Sequence, residues 1–313
     1  MLEFIARRLA GTLPVLAIVT LFVFLMLRLI PGDPAAVIAG DNASSEQIEL
    51  IRQRLGLNDA IWSQFGIWIS HVLRGDFGES FFFKRSVAEL VLQRIEPTLA
   101  LALCTLLFAI AVAVPIGVLA AYRHGSLFDR IVMVLSVVGF SVPGFVVGYC
   151  MIYMFSIVLN LLPVQGYVRL QEDFWASLRH LILPSVTLSV GFIALISRMT
   201  RAAVIEVLRE DYIRTARAKG LSQGVILVRH ALRNAAVPVL TIIGTSIAVL
   251  ISGVVVTETV FGLPGLGRLT VEAVLSRDFP TIQAVILMFS VVYVLINLAI
   301  DILYTICDPR IRF

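Results

Sequence analysis

Apolar residues in this chain run in long unbroken blocks instead of alternating with polar ones. Six stretches, 9–30, 98–122, 131–160, 180–198, 236–257 and 281–304, are nearly free of charge along their middles. Each approaches or exceeds the roughly 20 residues a helix needs to cross a hydrocarbon layer about 30 Å thick. Backbone polar groups in such a layer must be satisfied within the segment, so the blocks predict helices. A β-barrel would show alternating segments of about ten residues, and the sequence has none. The pattern predicts an all-α polytopic membrane protein with six transmembrane helices.

The polar intervals are uneven. The chain divides into 1–97, a first helix followed by a long loop, and 98–313, a five-helix core interrupted by a basic loop at 199–235. Within the long loop, 47-QIELIRQRLGL-57 carries Ile48, Ile51 and Leu55 at helical spacing and predicts a short amphipathic helix. The run 61-IWSQFGIWISHVL-73 is aromatic and apolar, as expected of a segment lying at a membrane surface. The run 75-GDFGESFFFKRSV-87 is rich in glycine and phenylalanine. The loop could serve as a platform for a soluble partner or as a packed cap over the bundle. Between the fifth and sixth blocks, Gly262, Pro264, Gly265 and Gly267 are expected to break any helix, giving either a re-entrant segment or an exposed loop.

Charge sets the orientation. Only 15% of residues are charged and 59% are apolar, whereas soluble domains carry roughly 25% charged residues. Arg7 and Arg8 precede an apolar run too long for a secretory signal, with no clear cleavage site after it, so a first membrane helix is expected. With both ends placed in the cytoplasm, fourteen basic residues fall inside: Arg7, Arg8, Arg123, Arg130, Arg198, Arg201, Arg209, Arg214, Arg217, Lys219, Arg229, Arg233, Arg310 and Arg312. Four fall in the short outer loops: Arg169, Arg179, Arg268 and Arg277. That asymmetry follows the positive-inside rule. The net charge of +4 thus reflects sidedness and calls for no nucleic acid. Eight of the basic residues lie in 198–234. At about 2.5–3.5 kcal/mol each in mid-bilayer, that segment must lie outside the lipid.

The chemistry available within the chain is sparse. Cys104, Cys150 and Cys307 are far apart, and His71, His124, His180 and His230 are scattered, so no metal site, disulfide framework or membrane-enzyme centre is expected. No ionisable side chain sits near the middle of a block, where an ion-coupled carrier would keep one. Lys84 and Lys219 are the only lysines, and neither follows the glycine of a phosphate-binding loop. Any energy for transport must come from another polypeptide. Pro143, in 139-GFSVPGFVVG-148, permits a kink and close packing. Gly244, Thr245, Ser246, Ser252 and Gly253 form small, weakly polar faces that suit either a conduit or helix packing.

One short stretch, 211-DYIRTARAKGLS-222, stands out in so oily a chain. Arg209 to Lys219 predicts a helix, with Glu206/Arg209 and Glu210/Arg214 at pairing distance. Gly220 is placed to end it in the left-handed conformation, and Ser222 to cap the next helix. The residues alone also allow a solvated basic loop.

The longer run 212-YIRTARAKGLSQGVILVRHALRNAAVPVLT-241 resembles the cytoplasmic coupling loop of ABC importer permeases. It is most similar to the dipeptide/oligopeptide/nickel group, as a B-type permease. Aligned on Gly220, the general motif E-A-A-x-x-x-G followed by I-x-L-P meets Arg214-Thr215-Ala216 and His230-Ala231-Leu232-Arg233. The glycine, one alanine and the leucine are kept; the glutamate and proline are not. The runs 28-RLIPGDPA-35 and 257-TETVFGLPGLGRLTVEAVLSRDFPTIQAVI-286 resemble the same group.

The resemblance implies an ABC type I importer permease in the bacterial inner membrane, moving di- or oligopeptides, nickel or related small solutes. It implies a non-catalytic chain that binds no cofactor, with ATP and Mg on two partner ATPase subunits. A sibling permease and a periplasmic solute-binding protein complete the partners. Residues implied in ATPase coupling are Arg214, Thr215, Ala216, Ala218, Lys219, Gly220 and Leu221. Ser141, Pro143, Thr245, Ser246 and Ser252 are expected along the pathway. Phe261, Pro264, Gly265, Gly267 and Phe82 are expected at the outer gate or the binding-protein contact.

Overall fold

The computed structural model describes residues 2–29, 33–39, 44–54 and 56–307. Part of 28-RLIPGDPA-35, Leu55, Arg310 and Arg312 lie outside the described residues. Among those described, the secondary structure is helical, apart from one isolated bridge between Glu79 and Ser86.

The apolar blocks become helices, with instructive departures. The first block gives α1 (Leu2–Met26), whose apolar part, Ala10–Met26, spans roughly 25 Å at 1.5 Å per residue. It ends four residues earlier than the block because the chain turns at Leu27–Leu29. Among the described residues four helices are long and apolar enough to cross a membrane by length and composition: α5 (Val87–Tyr122), α8 (Phe174–Leu208), α11 (Ala236–Val260) and α13 (Phe279–Cys307), the last over Phe279–Ile302. The expected single span at 131–160 is broken. It consists of α6 (Leu127–Ser141) and α7 (Gly144–Met151), the latter continued by a π-helical turn at Ile152–Val158, and the two arms meet at 101°. Pro143 is the cause: its residue-before-proline neighbour Val142 adopts extended backbone (ψ 127°), as the proline ring demands. Counting the broken pair as one crossing gives five candidates among the described residues, where six spans were expected.

The chain folds as two compact units. The first holds Met1–Glu96 and Pro264–Leu295, the second Pro97–Leu263 and Ile296–Phe313. The stretch 264–295, expected within the five-helix core, therefore belongs to the first unit.

In the first unit, α2 (Pro34–Ala39), α3 (Ser45–Arg54) and α4 (Ile61–Leu73) follow α1. Phe24 of α1 is buried against Phe65 and Trp68 of α4, with ring centroids 5.1 and 5.5 Å away. The Arg28 guanidinium stacks 3.6 Å from the Phe24 ring centroid and donates to Gln64 Oε1. Around the rest of its surface α4 exposes Trp62, Ile67 and Leu73, and Ile61 is exposed in its first turn. The glycine-rich turn at 75–86 is held by the buried Asp278, which accepts from Ser80 Oγ (2.5 Å), Phe81 N (3.1 Å) and Thr281 Oγ1 (2.6 Å). The segment expected to be non-helical at 257–280 is broken at 261–265 and again at 276–278; between the breaks lies α12 (Leu266–Leu275), which includes Gly267. A glycine in a helix costs about 1 kcal/mol relative to alanine, which the buried apolar face of α12 (Leu266, Leu269, Ala273) readily offsets.

The second unit is organised around α8, which packs on α6, α7 and α11. Its core includes Leu101, Ala109 and Ala113 of α5 with Leu181, Leu183 and Ile196 of α8. Small residues allow the approach. A Cβ on Gly117 would lie 2.6 Å from the Ser197 carbonyl oxygen and 2.7 Å from Thr200 Cβ, so only glycine fits that crossing of α5 over α8.

Candidate functional site

The basic segment after residue 198 is not a loop. α8 continues unbroken to Leu208, carrying its last turns past the apolar block. Arg209 and Glu210 form a two-residue turn, and Glu210 adopts extended backbone (φ −67°, ψ 146°) as the N-cap of α9 (Asp211–Ala218). The helix expected from Arg209 to Lys219 is thus shorter at each end. The interruption also removes the expected ion pairs. Glu206 and Arg209 straddle the end of α8, and Glu210 precedes α9, so neither Glu206/Arg209 nor Glu210/Arg214 forms; Arg214 instead lies 3.5 Å from Asp211.

The end of α9 follows from one residue. Gly220 sits at φ +77°. Leu221 N donates to Ala216 O and Gly220 N to Arg217 O, the two bonds of a Schellman motif. Ser222 is the N-cap of α10 (Gln223–Val225), but through its backbone: Ile226 N donates to its carbonyl, and its side chain makes no capping bond. A π-helical stretch, Ile226–Leu232, leads on towards α11.

α9 is amphipathic. Ile213 and Ala216 are buried against Ile226, with Val207 and Leu208 at the rim. Ala216, expected among the coupling residues, therefore faces the chain's own interior. Arg214, Thr215, Arg217, Ala218, Lys219, Gly220 and Leu221 are exposed. Arg209, Arg217, Lys219, Arg229 and Arg233 make no ion pair among the described residues. Burial and the neighbouring Glu210 carboxylate push the Tyr212 hydroxyl up, against a hydrogen bond with Asn234 that lowers it.

Beside this hairpin lies a cluster that the sequence did not reveal. Asp129, on the first turn of α6, is buried. Arg201 of α8 donates to it through Nε to Oδ1 and through Nη2 to Oδ2 (2.7 Å); Gly125 N also donates to Oδ2 (2.9 Å). His124 Nδ1 lies 3.3 Å from Asp129 Oδ2 and 3.0 Å from Arg201 Nη2. The partners are 72 residues apart, so no local pattern signals the pair. A second buried polar contact was missed for the same reason: Thr98 Oγ1 donates to Glu258 Oε1 at 2.6 Å.

The expected pathway residues divide. Ser141, Pro143, Thr245 and Ser252 are exposed, while Ser246 is buried with its hydroxyl on the Ile242 carbonyl (2.7 Å). Val142 and Gly144, flanking Pro143, are exposed as well. Of the expected gate residues, Phe261 is buried in the core of the second unit. Pro264, Gly265, Gly267 and Phe82 belong to the first, where Pro264 and Phe82 are exposed and the two glycines buried. Among the described residues no cluster of three or more His, Cys, Asp or Glu could hold a metal.

Comparison with known proteins covers the chain from end to end. Residues 113–313 match the family of binding-protein-dependent transport system inner membrane components, and residues 1–102 match the N-terminal family of the same membrane components. A probable peptide ABC transporter permease, y4tP of Sinorhizobium fredii, is 52% identical over 99% of both chains. The glutathione transport system permease GsiC of Escherichia coli is 44% identical over the full length of both. A solved inward-facing structure of the MetNI methionine ABC transporter shares the fold at a TM-score of 0.57 and 20% identity, covering 70% of this chain and 96% of that one.

Proposed function

The chain belongs to the family of binding-protein-dependent transport system inner membrane components, and we propose that within such an ABC importer α9 is the surface on which separate ATP-hydrolysing subunits act. As a permease subunit the chain forms part of the route through the membrane. ATP and Mg belong to the partner subunits, a sibling permease supplies the other half of the route, and a solute-binding protein delivers cargo from outside. Short peptides are the proposed cargo, in keeping with the similarity of the chain to a probable peptide permease (52% identical) and a glutathione permease (44% identical).

The observation that carries this reading is the two-sidedness of α9. Its apolar side is fixed to α8 and the π-helical stretch, so a displacement of α9 must move α8 with it. Its other side exposes Arg214, Thr215, Arg217, Ala218 and Lys219. Cysteine placed at Ala218 and cross-linked in native membranes is expected to capture a subunit with a phosphate-binding loop. Absence of any such adduct would remove α9 as the contact.

The break at Pro143 favours a place for the route. Irregular backbone within a hydrocarbon layer survives only where protein covers it or water lines it. Ser141, Val142, Pro143 and Gly144 are exposed on this chain, so their cover comes from a second permease, from water, or from both. Membership with both termini in the cytoplasm and α1 as a sixth crossing completes the proposed topology.

A further inference from the structure

Beside α9 the second unit has an open groove of about 500 Å³, lined by His124, Arg201, Ala202, Glu206, Arg209 and Glu210. We infer that this groove is a second docking point for the same ATPase subunit, of opposite electrostatic sign to α9, and that it receives a lysine- or arginine-bearing segment. The inference rests on the proposed role of α9.

The sign follows from which charges are already spent. Arg201 is neutralised by the buried Asp129, which holds it through two nitrogens. Glu206, Arg209 and Glu210 form no ion pair or side-chain hydrogen bond among the described residues. Two free carboxylates against one free guanidinium leave the groove net acidic. The exposed face of α9 carries Arg214, Arg217 and Lys219 against Asp211 and is net basic. Glu210 is at once a wall of the groove and the N-cap of α9, so the two surfaces are continuous.

Adjacent patches of opposite sign fix the register of a docked partner, because a slid or reversed partner meets like charge. A single basic patch would tolerate sliding. The Asp129–Arg201 pair holds the groove in shape by tying the first turn of α6 to the last turns of α8. A lipid headgroup is the poorer occupant: the cytoplasmic leaflet is anionic, and Glu206 and Glu210 oppose its phosphates.

The test uses the assembled complex in native membranes. Single cysteines are introduced at Ala202 and at Ala218 in a background with the native cysteines replaced by serine. Each is labelled with a cysteine-reactive benzophenone, irradiated, and its adducts identified by mass spectrometry. Capture of the ATPase from both positions is expected. Capture from Ala218 alone, with lipid or nothing at Ala202, overturns the groove and leaves α9 standing. Capture from Ala202 alone removes α9 and with it the two-point docking, and capture from neither removes both. Glu206→Lys, at an exposed and unpaired side chain, is expected to lower ATPase co-purification about tenfold at low salt, with the deficit shrinking at high salt. Unchanged co-purification at low salt overturns the assigned sign.

Discussion

Gly220→Val isolates the geometry of the α9 turn from every contact around it. A Cβ built on Gly220 meets nothing within 4 Å, so the substitution adds no clash. Its cost is confined to the backbone, held at φ +77°. An L-residue in the left-handed region costs about 1–2 kcal/mol, and a β-branched one stands at the upper end or above it. If valine is free to leave that region, the two Schellman bonds to Ala216 and Arg217 break and the chain exits α9 in another direction. Each 1.4 kcal/mol then lowers the fraction of correctly aimed α9 about tenfold. Gly220→Ala is expected to reduce ATP-dependent uptake roughly fivefold and Gly220→Val tenfold or more. Gly220→Asn is expected to cost less than about twofold, because asparagine tolerates the left-handed conformation. Uptake is measured in proteoliposomes carrying the whole complex, with membrane insertion and melting temperature followed in parallel. The three proteins should insert and melt alike, since Gly220 lies in an exposed turn. Normal uptake by the valine variant would falsify the reasoning, and an asparagine variant as poor as valine would show that the side chain, not the backbone, is at fault.

Asp129→Asn leaves the Arg201 guanidinium without its carboxylate at a largely buried site. Breaking such a pair from one side costs about 3–5 kcal/mol, so a clearly lower melting temperature of the purified complex is expected; an unchanged one would mean the pair is solvated. Gly117→Ala drives a methyl into the Ser197 carbonyl and Thr200, which are helix backbone and a stiff side chain. Overpacking of this kind costs about 1–3 kcal/mol, readable as the same thermal shift, while Gly224→Ala, with open space around it, serves as the silent control. For the proposed topology, cysteines at Ser222 and Ser63 should react with a membrane-impermeant maleimide from opposite sides of sealed vesicles; labelling from one side refutes the assignment of inside and outside.

The helices of this chain were legible because lipid leaves a segment so little choice. A long charge-free run must satisfy its own backbone, and α5, α8, α11 and α13 follow from that alone. Gly220 and Pro143 were legible because each imposes a backbone geometry independent of its surroundings. The length of α8 was not, since charged residues at 198–208 mark the exit from lipid without ending a helix. Nor was the pairing within 206–214. Side chains spaced for an ion pair meet only if one helix is continuous through both, and the turn at Arg209–Glu210 intervenes. Arg201 read as one of the loop's basic charges and Asp129 gave no signal of its own; their pairing is decided by the packing of α6 on α8. Ala216 and Ser246 face the interior of their own chain, a side that residue type alone does not give.

These contacts account for how a chain without ionisable residues at mid-membrane could still respond to work done elsewhere. Ile213 and Ala216 join α9 to the end of α8. Arg201, two turns earlier, joins α8 to the start of α6 through Asp129. Further along, Gly139 of α6 packs on Val190 and Ala194, and Gly148 of α7 on Thr187. The two arms of the broken helix are therefore each attached to the same α8, on either side of the exposed break at Pro143. A close-packed interface transmits displacement because it has little free volume to absorb it. A tilt of α8 imposed through α9 would thus shift both arms together and change the opening at Ser141–Gly144, with no proton or ion required along the way. Loosening one arm should separate the two halves of that motion. Ala194→Gly, which removes a methyl from the Gly139 crossing, is expected to leave ATPase capture at Ala218 intact and to lower uptake per ATP hydrolysed; an unchanged ratio would mean that α6 moves independently of α8.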